Sequence, residues 1–161
     1  MPVLLVVHHS PTDTVRSLTD AVVAGAHDDA IEGVEVVVRP ALEATADEVL
    51  AADGYLIGTT ANFGYMSGAL KHFFDTIFLE AGGALSDDGS AAAAGGGKKP
   101  FGLWVHGRYD TTGAVRSVLS IVQALPWTQA AATVEVVGDV TEEHHGAAYE
   151  LGGTLAALLS E

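Results

Sequence analysis

The sequence predicts an α/β domain: a doubly wound, three-layer sandwich around a five-stranded parallel sheet of order 2-1-3-4-5. Three observations carry that expectation. Short apolar runs rich in β-branched residues alternate with amphipathic segments of helical period from one end of the 161-residue chain to the other. No run of apolar residues approaches the ~20 needed to cross a bilayer as a helix, so the alternation describes a water-facing fold. Only the second and fifth runs contain glutamate, which a strand buried on both faces and both edges does not tolerate, so those two are the expected edges.

The five strand-like runs are Val3 to Val7, Val34 to Val38, Tyr55 to Ile57, Phe101 to Val105 and Val134 to Val137. Val15, Leu18, Val22 and Ala26 recur at helical spacing after the first, and Leu70, Phe73, Phe74, Ile77 and Phe78 after the third. Val115, Val118, Leu119 and Val122 form a fourth helix, and Ala148, Leu151, Leu155, Leu158 and Leu159 a last one. The second helix, around Ala46 to Ala51, is short and weakly patterned. The stretch from Glu80 to Lys99, EAGGALSDDGSAAAAGGGKK, is far longer than a usual αβ connection and has no composition for a core; it is expected to be a flexible surface loop within one domain spanning 1–161.

Bulk chemistry narrows the partners. Seven Lys and Arg stand against 21 Asp and Glu, a net charge of -14, which repels nucleic acid and anionic membranes. Without cysteine, the chain has no disulfide, thiolate nucleophile or thiolate metal site. His8-His9 and His144-His145 are neighbours in sequence, and neighbours on a strand or helix diverge too far to chelate one ion. No basic leader precedes the first run, so a cytoplasmic protein without membrane insertion is expected.

In the order 2-1-3-4-5 the binding crevice lies at the carboxyl ends of strands one, three and four, in the loops after Val7, Ile57 and Val105. The first loop, HHSPTDT, offers the hydroxyls of Ser10, Thr12 and Thr14 and the open amides of a helix start, a combination suited to phosphate. The same letters read as a capping box, with Ser10 as N-cap, Pro11 at the first helical position and Asp13 reaching back. Asp13 would then fill the anion position itself, unless Arg16, three residues on, pairs with it.

The second loop is the most informative stretch. Gly58-Thr59-Thr60 ends the third strand, and Phe63-Gly64-Tyr65-Met66-Ser67-Gly68 runs into Ala69-Leu70-Lys71-His72-Phe73-Phe74-Asp75. This pattern resembles the flavodoxin-like NAD(P)H-dependent FMN reductases and NAD(P)H:quinone oxidoreductases, specific in residue type and spacing over about a sixth of the chain. The resemblance implies FMN as cofactor, NADPH or NADH as reductant, and a quinone, a free flavin or another small molecule as electron acceptor. It also implies a homodimer or homotetramer. The backbone of Thr59, Thr60, Ala61, Asn62, Phe63 and Gly64 would meet the flavin, with Phe63 or Tyr65 shielding a face, while Ser10, Thr12 and Thr14 hold the phosphate. On that basis Asp13→Gly is expected to tighten FMN binding.

In the third loop, His106-Gly107-Arg108-Tyr109, the resemblance places a small hydroxyl residue before the glycine; only Gly107 fits. His106 and Arg108 depart from it, although a donor or cation there would stabilise a reduced flavin ring, and Tyr109 is placed to stack on it or cover a nicotinamide. Plainer roles are a strand-end histidine bonded to backbone and a solvated arginine. No side-chain catalytic set is present, so the chemistry belongs to the cofactor. Two further functions fit the same residues: an electron carrier docking on a basic redox protein, and a flavodoxin-like binding module with little FMN affinity. Against the carrier, the acidic pairs Asp28-Asp29, Asp87-Asp88 and Glu142-Glu143 are scattered along the sequence.

Overall fold

The computed structural model describes residues 1–81 and 98–161. Its sheet has the order β2-β1-β3-β5-β6, with β1 Val3–His8, β2 Glu35–Pro40, β3 Gly54–Asn62, β5 Lys99–Gly107 and β6 Trp127–Gln129. These pairings are all parallel. The expected order therefore holds, with the second and last strands at the edges. Two elements were not legible in the sequence. The last strand is split: β6 pairs with the start of β5, and β7, Val134–Val137, with its end. A two-residue strand β4, Tyr65–Met66, folds back antiparallel on the end of β3. Most of the loop expected over 80–99, residues 82–97, lies outside the described residues.

Helices α1 Asp13–Ala26 and α5 Glu142–Ser160 cover one face; α2 Ala46–Ala51, α3 Gly68–Ala81 and α4 Thr112–Val122 cover the other. Strand alternation divides the core between them. Leu4, Val6, Leu56 and Trp104 pack under α1 and α5, while Leu5, Val7, Tyr55, Ile57, Phe101, Leu103 and Val105 pack under α2 to α4. The short α2 is secured by a capping box between Thr45 and Glu48, and Glu48 also pairs with Arg39 of β2 at 2.6 Å. Lys99 lays its ammonium on the α2 carboxyl end, bonding the Ala52 carbonyl at 2.5 Å.

Gly58, where β3 reaches the site, is glycine for a packing reason. It pairs across the sheet with Trp104, and a Cβ there would lie 2.1 Å from the indole. No helix among the described residues is long and apolar enough to cross a membrane.

Candidate functional site

The first loop departs from its expected capping pattern. Ser10 does not cap α1; its hydroxyl turns inward, 2.8 Å from His8 Nδ1 and 2.7 Å from Thr19 Oγ1. Thr19 donates to the Val15 carbonyl, so Ser10 donates to Thr19 and His8 donates from Nδ1 to Ser10. Two buried partners outweigh one helix amide. The cap is instead Thr12, extended at φ -128°, whose Oγ1 accepts from Val15 N–H at 3.4 Å, and Asp13 is the first helical residue. The anticipated Asp13–Arg16 pair is not formed among the described residues, and Asp13 is exposed. Burial, with the charge of Arg16 and the neighbouring His9, holds His8 below the usual imidazole range, against an upward pull from Asp20. Burial alone does the same to His9.

The second loop is a tight hairpin. Ala61 pairs with Met66 and Asn62 with Tyr65, and the two residues between them, Phe63 and Gly64, have φ of 51° and 73°. Positive φ at both central positions is the requirement of a type I′ turn. Glycine meets it freely, but phenylalanine at positive φ is strained. Its ring is nevertheless fully exposed. The hairpin is fastened to α4: Met66 N–H donates to Ser117 Oγ at 3.2 Å, and Ser117 donates in turn to the Ala114 carbonyl. Gly113 is the second fastening, since a Cβ there would sit 1.9 Å from the Gly64 carbonyl oxygen. Thr59 is buried and structural: its hydroxyl accepts from Ser67 N–H and donates to the Thr60 carbonyl. Ser67 in turn caps α3 by accepting from Leu70 N–H at 3.2 Å. Met66, Leu70, Phe73, Phe74 and Ile77 are core residues, as their spacing indicates, and Phe78 is partly buried.

The third loop closes the site. His106 is buried at the end of β5 and donates from Nε2 to the Gly138 carbonyl at 2.7 Å, the backbone bond considered for it. Gly107 is closely packed: a Cβ there would lie 3.0 Å from the Ala61 methyl, 3.1 Å from the Asp110 carbonyl oxygen and 3.1 Å from the Thr111 methyl. Arg108 is exposed and pairs with Asp139 at 3.1 Å. Asp110, just ahead of the N-cap Thr111, accepts from Thr112 N–H at 3.0 Å, a bond that also keeps its carboxyl below the usual range. Tyr109 stands out in solvent.

Between the three loops lies a cavity of about 310 Å³ lined by Thr12, Thr14, Val15, Thr60, Ala61, Asn62, His106, Gly107 and Arg108. Eight of these were singled out from the sequence; Val15 was not. Of the others, Ser10 and Thr59 are turned into the protein, while Phe63, Gly64 and Tyr109 stand outside the cavity. Thr60 is buried, lines the cavity, and its hydroxyl has no partner among the described residues. A buried hydroxyl left unpaired costs on the order of 1–3 kcal/mol, and His9 Nδ1 and Trp104 Nε1 are likewise without a partner among the described residues. Grooves of about 350 Å³ beside residues 131–135 and about 450 Å³ beside Ile31 are as large, but neither lies at the carboxyl ends of the strands. Neither has such an orphaned atom.

Similar proteins agree with this architecture. A flavodoxin from the domain Archaea superposes with a TM-score of 0.77 at 14% identity, covering 99% of both chains. Oxidised Flavodoxin 1 from Bacillus cereus gives 0.75 at 13%, covering 98% of this chain and 99% of that one. The fold is flavodoxin-like. The flavodoxin-like group of structures extends to a WrbA-like protein from Agrobacterium tumefaciens, with a TM-score of 0.70 at 15% identity over 99% of this chain and 98% of that one. In sequence, a flavodoxin of Aquifex aeolicus (strain VF5) is 33% identical over 82 residues, 51% of this chain. The match spans 43% of that flavodoxin, under half its length. No protein-family model matches.

The flavodoxin-like topology also collects charge that the sequence leaves dispersed. Asp13 follows β1, Glu43 follows β2, Asp110 follows β5, and Asp139, Glu142 and Glu143 follow β7. All six are exposed and follow strands that end at the carboxyl edge of the sheet, although none of them lines the cavity.

Proposed function

We propose that this chain is an FMN-binding redox protein that takes electrons from NADPH or NADH and passes them to a quinone, a free flavin or another small acceptor. The observation that carries the reading is the orphaned Thr60 hydroxyl on a cavity framed by the three loops, with an exposed aromatic ring on two of them. The residues present fit the cofactor. The backbone of 60–62 and 106–108 would meet the polar edge of the ring, Phe63 and Tyr109 its faces, and Thr12 and Thr14 the phosphate. Bound FMN supplies the hydride and electron chemistry, for which the protein offers no side-chain substitute.

A second reading, an electron carrier between proteins, is favoured by the six exposed carboxylates that follow strands at the carboxyl edge of the sheet and the bare rings of Phe63 and Tyr109. An acidic rim around an apolar centre suits a basic redox partner. The first test is the absorbance spectrum of protein saturated with FMN and freed of excess. Retained, shifted flavin bands support both readings; a colourless protein refutes both and leaves a binding module. Oxidation of NAD(P)H with a quinone present then supports the first reading. Its absence, with salt-sensitive reduction by a basic redox protein, supports the second.

A further inference from the structure

We infer that the open edge of the sheet at β2 is a self-association surface, on which a second copy of this chain adds its own β2 antiparallel about a two-fold axis through Val37. The surface lies apart from the cavity, so the inference does not rest on the flavin reading. β2 ends the sheet and, among the described residues, pairs with β1 alone. Glu35 N–H bonds the Pro2 carbonyl and Ala41 N–H the His8 carbonyl, so by the two-residue period of a strand residues 35, 37, 39 and 41 spend their backbone groups on β1. The N–H and C=O of Val36 and Val38 therefore point away from the sheet. Pro40, the next outward residue, has no N–H and stops this free ladder.

An antiparallel copy bonds to this edge only where outward residues face each other, and charge then selects the register. Centred on Val37, each Val36 faces a Val38 and the two pairs exchange four backbone bonds. The same register sets Glu35 of one copy opposite Arg39 of the other, twice, at the non-hydrogen-bonded positions where side chains approach most closely. Centred on Val36 or Val38, every charge faces an uncharged residue. Both partners have the capacity. Glu35 is exposed and has no ion pair among the described residues. Arg39 spends Nε on Glu48 and Nη1 on the Val38 carbonyl, which leaves its Nη2 donors for a carboxylate and a second lone pair on that carbonyl. Glu35, Val37 and Arg39 also border a groove of about 270 Å³ that the six-residue α2 leaves open over Val3 and Leu5; the Val37 and the Arg39 stem of a second copy would cover it. Charge on an edge strand ordinarily repels other strands, whereas opposite charges related by a two-fold axis admit this chain's own. The other edge has no such complement: β6 and β7 are separated by residues 130–133, and β7 carries Glu135 without a cation.

The test is sedimentation equilibrium of the full chain from about 1 µM to about 1 mM in about 0.15 M salt, where repulsion between two chains of net charge -14 is screened beyond about 8 Å. So short a ladder is expected to give a dissociation constant of about 10–100 µM, with the mass rising toward that of two chains. Glu35→Arg and Arg39→Glu are each expected to weaken self-association by about tenfold or more, since each sets like charges opposite one another at both pairs. Mixed in equal amounts, the two variants restore both opposite-charge pairs and are expected to associate as the native chain does. Amide exchange of the native chain adds a readout without substitution: Val36 and Val38 are expected to slow as concentration rises, while Val37 and Arg39, already bonded to β1, do not change. Should Arg39→Glu lose the fold with its Glu48 pair, this exchange decides alone. A native mass that stays at one chain up to about 1 mM overturns the inference. So does a dimer in which the Val36 and Val38 amides are not slowed, or a mixture of folded variants that stays monomeric.

Discussion

Replacing Gly113 with alanine tests whether α4 sets the position of the candidate flavin loop. The added Cβ would lie 1.9 Å from the Gly64 carbonyl oxygen. Relaxed carbon–oxygen contacts settle at about 3.3 Å or more, so the hairpin must retreat by roughly 1.4 Å. Overpacking of that size costs about 1–3 kcal/mol. Alanine in a helix recovers about 0.5–1 kcal/mol of the entropy that glycine loses. The net loss is about 0–2.5 kcal/mol, or a melting temperature lower by up to roughly 10 °C for a chain of this size. Binding should suffer as well as stability, because the displaced turn carries Phe63 and adjoins Ala61 and Asn62 of the cavity wall. FMN affinity is expected to fall by about tenfold, equivalent to about 1.4 kcal/mol. Gly146→Ala in α5 is the control, since a Cβ there meets nothing within 4 Å. Thermal melts and fluorescence titrations of both variants give the answer. Unchanged FMN affinity in Gly113→Ala would refute the claim that this contact holds the loop in its binding position.

Three other outcomes are expected. Phe63→Gly relieves a strained positive φ and is expected to raise stability by about 1 kcal/mol in urea denaturation while weakening flavin binding; a loss of stability would contradict the strain. Ser117→Ala leaves the buried Met66 amide without its acceptor and is expected to cost about 1–3 kcal/mol, read as a lower urea midpoint. His8 and His9 both have folded pKa values below their unfolded values, so the unfolded chain binds the extra protons. Stability should therefore be highest above pH 7 and fall as pH drops through about 6.5. Urea midpoints at pH 7.5 and 5.5 should show that slope, reduced in His8→Asn, and a slope untouched by the substitution would place its origin elsewhere.

The two kinds of information met differently at each loop. At the second loop, spacing was enough to pick out a segment of which Thr60, Ala61 and Asn62 line the cavity, because local sequence makes both the hairpin and the helix that follows it. At the first, the letters SPTD satisfied a local capping rule, yet Ser10 was drawn inward by His8 and Thr19, nine residues away on the buried side of α1. Gly113 and Ser117 carried faint signals, a glycine in the first turn of a helix and a serine within an apolar stripe. Neither signal says what the residue touches. The split of the last strand was missed because Trp127–Gln129 is only three residues long and lacks alternation.

By itself the sequence determined the class of the fold, the order of the main strands and the three loops that frame the cavity. Those properties follow from hydrophobic period and from where charge is tolerated, and both are local. Only the tertiary structure decided which hydroxyls are engaged, that Thr60 is left without a partner among the described residues, and that six exposed carboxylates far apart in the chain follow strands ending at one edge of the sheet. Hydrogen-bond partners and fields depend on distance in space, and a parallel sheet brings every loop after a strand to the same edge.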